Sequence, residues 1–301
     1  MGWQLSRVLR ALGGRPAVRA LGPRGVAAPS RAVDPAVLDG LDAARRRQVL
    51  DPLGVPTGGL VRWGSAAATQ VDGTTCGAAV LGLLAAAGDP VLAAWLVTGT
   101  LPDGVVPPEV GGLDLPDPPD PAAPDARPWF RSPDGRLVHE AATPAEASAA
   151  RWGLLQAAVH RRSTAPAVAG VLPWPRSLGT PPWGAARVAR FPGVRYRAVL
   201  VDDTRPAELE AVLDAVDLAL DAGVPVPLYA GGDSSDGIGA AVPRHVVLAV
   251  ERTEDGYRVY EPGAGRVLAL SRGALLDPAG PQRALGGWTH LTWALLPHRP
   301  R

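Results

Sequence analysis

A thiolate needs a base to take its proton, a group to orient that base, and donors for the charge that develops on an attacked carbonyl. The chain holds a single cysteine, Cys76, in the stretch QVDGTTCGAAVLGLL over residues 70–84. VDGTT reads as a turn and GAAVLGLLAAAG as a helix, so Cys76 stands in a first helical turn. There, unpaired N–H groups and the helix dipole favour a thiolate. The base candidate is His245, which opens the apolar segment HVVLAV. The segment after it, GYRVYEP, ends on Glu261. A hairpin joining the two would bring Glu261 back to His245, where its carboxylate could select the reactive imidazole tautomer. Gln70, six residues before Cys76, supplies an amide that could donate beside the Cys76 N–H. Each residue alone also fits a plainer role: a core cysteine, an edge-strand histidine, a strand-ending glutamate, a polar loop glutamine.

Other site classes find less support. One cysteine allows neither an internal disulfide nor a multi-cysteine zinc site. The histidines at 139, 160, 245, 290 and 298 show no metal-binding spacing, so no metal and no cofactor is expected. A formal net charge of +1 implies no general attraction to nucleic acid or anionic membrane. No run reaches eighteen apolar residues, so no transmembrane span is expected. The basic start, MGWQLSRVLRALGGRPAVRALGPRG, lacks an apolar signal core and reads as a short amphipathic helix. It could contact a partner or a membrane surface, and the expected location is the cytoplasm.

The elements that must position these residues follow from capping and periodicity. Residues 1–58 read as a basic N-terminal extension, partly helical or disordered, and 59–301 as one functional domain. DPVLAAWLVTG (89–99) reads as a helix capped by Asp89 with Pro90 in its first turn. The Pro/Asp-rich stretch 101–128 reads as a long loop or insert. A helix over 142–162 is expected from Thr143, Pro144 and Glu146, which form a capping box. Residues 173–187 read as irregular. RYRAVLVDD (195–203) resembles a strand, and the next helix has Thr204 as cap, Gly223 as stop, and Leu209, Val212, Leu213, Val216 and Leu220 on one face. VPVPLYA, HVVLAV, GYRVYEP, GRVLAL and THLTWALLP then read as antiparallel strands. Helices first and a sheet last make an α+β fold.

Taken together, Gln-x5-Cys-Gly, a distant His before an apolar strand, and an acidic residue followed by Pro resemble the papain-like cysteine peptidases. The resemblance is to the C39-like, bacteriocin-processing type in particular. It implies a papain-like α+β fold and a peptide or protein substrate. It also implies Cys76 as nucleophile, His245 as general base and acid, Glu261 as orienter and Gln70 as oxyanion donor. The family usually has Asp or Asn where this chain has Glu261, and often Asp where it has Thr75. An amidase or acyltransferase using the same thiol, and a catalytically degenerate peptide-binding domain, remain open alternatives.

Overall fold

The computed structural model describes residues 7–9, 18, 32–102, 105–113, 129–131, 137–140, 144–165, 173–232 and 245–300. In chain order the first elements are α1 (Pro35–Asp39), α2 (Ala43–Leu50), β1 (Arg62–Trp63), β2 (Ala66–Ala67), α3 (Cys76–Gly88) and α4 (Pro90–Thr98). Then come β3 (Trp129–Arg131), β4 (Leu137–Glu140), α5 (Pro144–Thr164), α6 (Pro182–Val188), β5 (Arg195–Leu200), α7 (Pro206–Asp221) and β6 (Val226–Gly231). β7 (His245–Arg252), β8 (Gly256–Glu261), β9 (Arg266–Ser271), α8 (Arg272–Leu276) and β10 (His290–His298) complete the order.

The fold is mixed α+β. Six strands form one antiparallel sheet in the order β5-β10-β6-β7-β8-β9. β6 is buried at every position, so both faces of the sheet centre are covered. α3 and α7 both pack on β7, and α5 packs on α3. Among the described residues the main apolar core runs from Val49 in α2 to Leu296 in β10, with a small satellite cluster around Leu154 of α5. The outer strand β9 is lined by the segment before β1: Gly58 N–H donates to Val267 O at 2.7 Å and Val267 N–H to Gly59 O at 3.1 Å. That pairing covers much of an exposed edge.

Local chemistry accounts for the helices. α3 is apolar on every side and buries all of its residues except Ala87, as a central helix must. Asp89 stops it and starts α4, its carboxylate accepting from Val91 N and Leu92 N, and the chain turns by 113° between the two. α7 buries Leu209, Val212, Leu213, Val216 and Leu220, the face its period marks. Gly223 follows with a φ of +73°, a stop that glycine suits. Among the described residues no single helix is long and apolar enough to cross a membrane; α3 and α4 pass together on composition, yet both lie in the core.

Two local expectations are corrected. Residues 173–187 are not wholly irregular: Arg176–Leu178 form a 3-10 turn and Pro182 opens α6. A proline suits the first helical position because its missing N–H has no acceptor there. Thr204 does not cap α7, whose N-cap is Arg205 without a side-chain bond. Asp202 instead folds the turn, accepting from Thr204 N at 3.1 Å and Thr204 Oγ1 at 2.5 Å. The Thr143 cap and residues 114–128 lie outside the described residues, as does most of the basic start. Of that start residues 7–9 are helical, and Arg7 bonds Asp203 at 2.8 Å.

Candidate active site

His245 and Glu261 meet as the hairpin predicts, at the shared end of β7 and β8. The imidazole Nε2–H donates to Glu261 Oε1 at 2.8 Å, and both side chains are buried. The turn after β8 holds the carboxylate: Gly263 N–H donates to Oε1 at 2.8 Å and Ala264 N–H to Oε2 at 2.7 Å. Both oxygens are therefore engaged, and the extra methylene of glutamate lets one carboxylate reach the ring and the turn together. Burial raises the Glu261 pKa, but the bonds from His245, Gly263 and Ala264 outweigh it and hold the group below the usual carboxylate range.

Cys76 lies at the start of α3 and lines a cleft of about 260 Å3 with His245, Gly73, Thr180, Tyr229 and Trp288. Desolvation alone would depress the His245 pKa. Hydrogen bonding with the Cys76 and Glu261 side chains reverses that and pushes it up to about 9. The ring therefore carries its proton at neutral pH, between a sulfur and a carboxylate.

Two glycines permit this packing. Gly286 has a φ of +66°, and a Cβ there would lie 2.4 Å from His245 Cδ2. The 286 turn thus lies directly against the imidazole, a place for glycine alone. A Cβ at Gly77 would lie 2.7 Å from Thr180 Cβ. The residue after the cysteine is therefore small because the opposite wall touches it. Tyr229 secures that wall, its hydroxyl donating to Thr180 O at 3.2 Å.

Gln70 is placed less directly. Its backbone N–H donates to Pro262 O at 2.8 Å, tying the loop before α3 to the turn that grips Glu261. Its Nε2 donates to Asp72 O at 2.8 Å, and Oε1 is buried with no partner among the described residues. The side chain does not line the cleft, although one Nε2 hydrogen remains uncommitted by that bond. Thr75, at the helix N-cap, gives no cap bond and shapes the loop instead: Oγ1 accepts from Val71 N at 3.1 Å and Asp72 N at 3.0 Å.

Sequence reasoning missed the brace behind this loop. Trp152, Gln156 and His160 recur every four residues on α5 and share one face. Gln156 accepts from Val71 N at 3.0 Å and donates to Thr69 O at 3.0 Å; Trp152 Nε1 donates to the same carbonyl at 2.7 Å. His160 is buried against Asp72 and Gly179, and burial keeps its pKa below the ordinary value although Asp72 opposes this. The signal was there to read: Gln156 and His160 interrupt the stripe formed by Trp152, Leu155 and Val159, and a polar residue on a buried face needs a partner.

Among the described residues no cluster of three His, Cys, Asp or Glu side chains could hold a metal ion. The arrangement offers a sulfur at a helix start, a protonated imidazole beside it and a carboxylate fixed by two backbone amides. The chain matches no protein-family model, and comparison with curated proteins and with solved structures likewise finds no match.

Proposed function

We propose that the chain is a cysteine peptidase of papain-like, C39-like character, hydrolysing peptide bonds through Cys76, His245 and Glu261. The observation that carries this reading is the buried His245, bonded through Nε2 to Glu261 at 2.8 Å and held protonated with the help of Cys76. A thiolate and an imidazolium side by side are the reactive form of such a pair. In the first step the Cys76 sulfur attacks the amide carbonyl. The Cys76 N–H belongs to the first turn of α3, where no preceding carbonyl accepts it, and it can serve the developing oxyanion. The second Nε2 hydrogen of Gln70 is the other donor in this reading. His245 gives its proton to the leaving amine as the C–N bond breaks, leaving a thioester. It then takes a proton from water, whose oxygen attacks that thioester and releases the acid and the Cys76 sulfur. An amine in place of water would give transamidation by the same path.

A binding-only reading is favoured by one observation, the Gln70 amide spent on Asp72 O. Labelling by an electrophilic thiol probe separates the two. Rapid labelling of the wild type that is lost in Cys76→Ala and strongly slowed in His245→Ala supports the enzyme. Equal labelling of wild type and His245→Ala leaves a peptide-binding domain.

A further inference from the structure

α5 touches both lips of the cleft around Cys76. The first lip is the loop before α3, which contributes Gly73 to the lining; the second is the turn that contributes Ser177, Leu178, Gly179 and Thr180. α5 grips the first through Trp152 and Gln156, whose side chains donate to Thr69 O at 2.7 and 3.0 Å. About two turns further along it reaches the second. There Trp174 N–H donates to Thr164 O at 2.8 Å, and Ser163 Oγ lies 3.4 Å from Thr180 Oγ1. The lips also meet each other: Gly179 has a φ of +73°, and a Cβ there would lie 3.5 Å from Thr74 O.

His160 stands on α5 between these two grips and is 7% exposed. Its surroundings suit a neutral ring. One bond runs to the Gly179 backbone on the second lip, whereas Nε2 is buried with no hydrogen-bond partner among the described residues. In an imidazolium both ring nitrogens are donors, so the added proton would leave a buried N–H without an acceptor. The charges acting on the ring from the elements packed against it are Asp72 of the first lip and Arg176 of the second, opposite in sign. Both are exposed, so water screens them. Burial outweighs the help of Asp72 and of the Gly179 bond, and holds the His160 pKa below the ordinary value.

We propose that His160 is a positioning residue that keeps the two lips of the cleft together only while its ring is neutral. Once protonated, the imidazolium is better served by water than by its buried seat, so acid favours states in which the lips part from α5. The sign follows from linkage. A histidine whose folded pKa lies below 6.5 contributes stability above 6.5 that is lost as pH falls through the depressed value. The lips are loop and 3-10 segments, which open at lower cost than the sheet behind them. The cleft is therefore shaped at neutral pH and relaxed in acid. The inference stands apart from the thiol chemistry.

The test is amide hydrogen exchange read by mass spectrometry on the full chain at pH 7.5 and pH 5, corrected for the intrinsic effect of pH on exchange. Peptides covering 69–75 and 174–180 should lose protection at pH 5, while those covering β7 and β8 keep it. Over that range His245 stays protonated and Glu261 and Asp72 stay ionised, so the loss does not come from them. His160→Gln keeps a hydrogen-bonding amide but cannot titrate, and should hold both segments equally protected at the two pH values. Cys76→Ala should behave as the wild type does, so a failure of the peptidase reading leaves this result standing. Equal protection of the wild type at both pH values, a loss that persists in His160→Gln, or a loss spread evenly over the sheet would overturn the proposal. If His160→Gln is destabilised, His160→Leu replaces it, and an acid loss that remains in that variant counts against His160.

Discussion

Replacing Glu261 by Gln keeps the side-chain shape and removes its charge. In the native protein His245 is lifted from 6.5 to about 9 by Cys76 and Glu261 against the opposing effect of burial. That lift corresponds to about 3 kcal/mol in favour of the imidazolium. If Glu261 carries between a third and a half of it, Glu261→Gln lowers the His245 pKa by roughly one unit. The thiolate–imidazolium pair is then about tenfold less favoured. The variant amide also turns an NH2 group toward either Gly263 N–H or Ala264 N–H, which now donate to the two carboxylate oxygens. One backbone donor loses its acceptor, at a cost of about 1–3 kcal/mol in stability. The assay is the second-order rate of Cys76 alkylation by iodoacetamide from pH 4 to 10, with thermal unfolding measured alongside. The wild type should react rapidly near pH 6 and change again near pH 9. Glu261→Gln should be about tenfold slower at pH 6, with its alkaline transition roughly one unit lower. A wild-type profile with a single transition near ~8.5, that of an ordinary thiol, would refute the reasoning. So would a variant profile that overlays the wild type in a folded protein.

Four further outcomes follow from the same geometry. Gly286→Ala combines a φ of +66° with a Cβ 2.4 Å from the imidazole, so alkylation at pH 6 should fall with a stability loss of about 1–3 kcal/mol in denaturant titration. Gln156→Ala removes two hydrogen bonds, from Val71 N–H and to Thr69 O, while Thr75 Oγ1 and Trp152 Nε1 still serve those groups, so it should cost about 1–3 kcal/mol; protease nicking within residues 69–75 should quicken before global unfolding. Leu213→Ala, fully buried in α7, should lose about 2–5 kcal/mol in chemical denaturation while Cys76 in the folded fraction keeps its alkylation profile. The raised His245 pKa stabilises the fold fully below 6.5, and this contribution is lost as pH rises through about 9. The lowered Glu261 pKa adds stability above 4.5 that is lost as pH falls through the depressed value. Denaturation midpoints should therefore show the contribution of the pair greatest between about 4.5 and 6.5, and His245→Ala should flatten its alkaline limb.

The order of elements was legible because the chain states it locally. Asp89 and Pro90 mark the α3–α4 boundary, the stripe from Leu209 to Leu220 marks α7, and short alternating segments after residue 224 mark the sheet. The approach of His245 to Glu261 was legible too, because antiparallel pairing through a short turn leaves few registers. By contrast α6 was hidden behind two prolines, which end a helix or begin one according to what lies around them.

Sequence alone therefore determined which residues could do chemistry and the strand ends on which two of them lie. Only the tertiary structure decided what surrounds them. Gly286 lies against the imidazole and Thr180 against Gly77 across long stretches of chain, contacts that no local period encodes. Gln70 shows the difference most plainly: its spacing from Cys76 is a sequence fact, but where its amide points depends on Asp72, Pro262 and the Gln156 brace. A hydrogen bond is settled by fractions of an ångström in three dimensions.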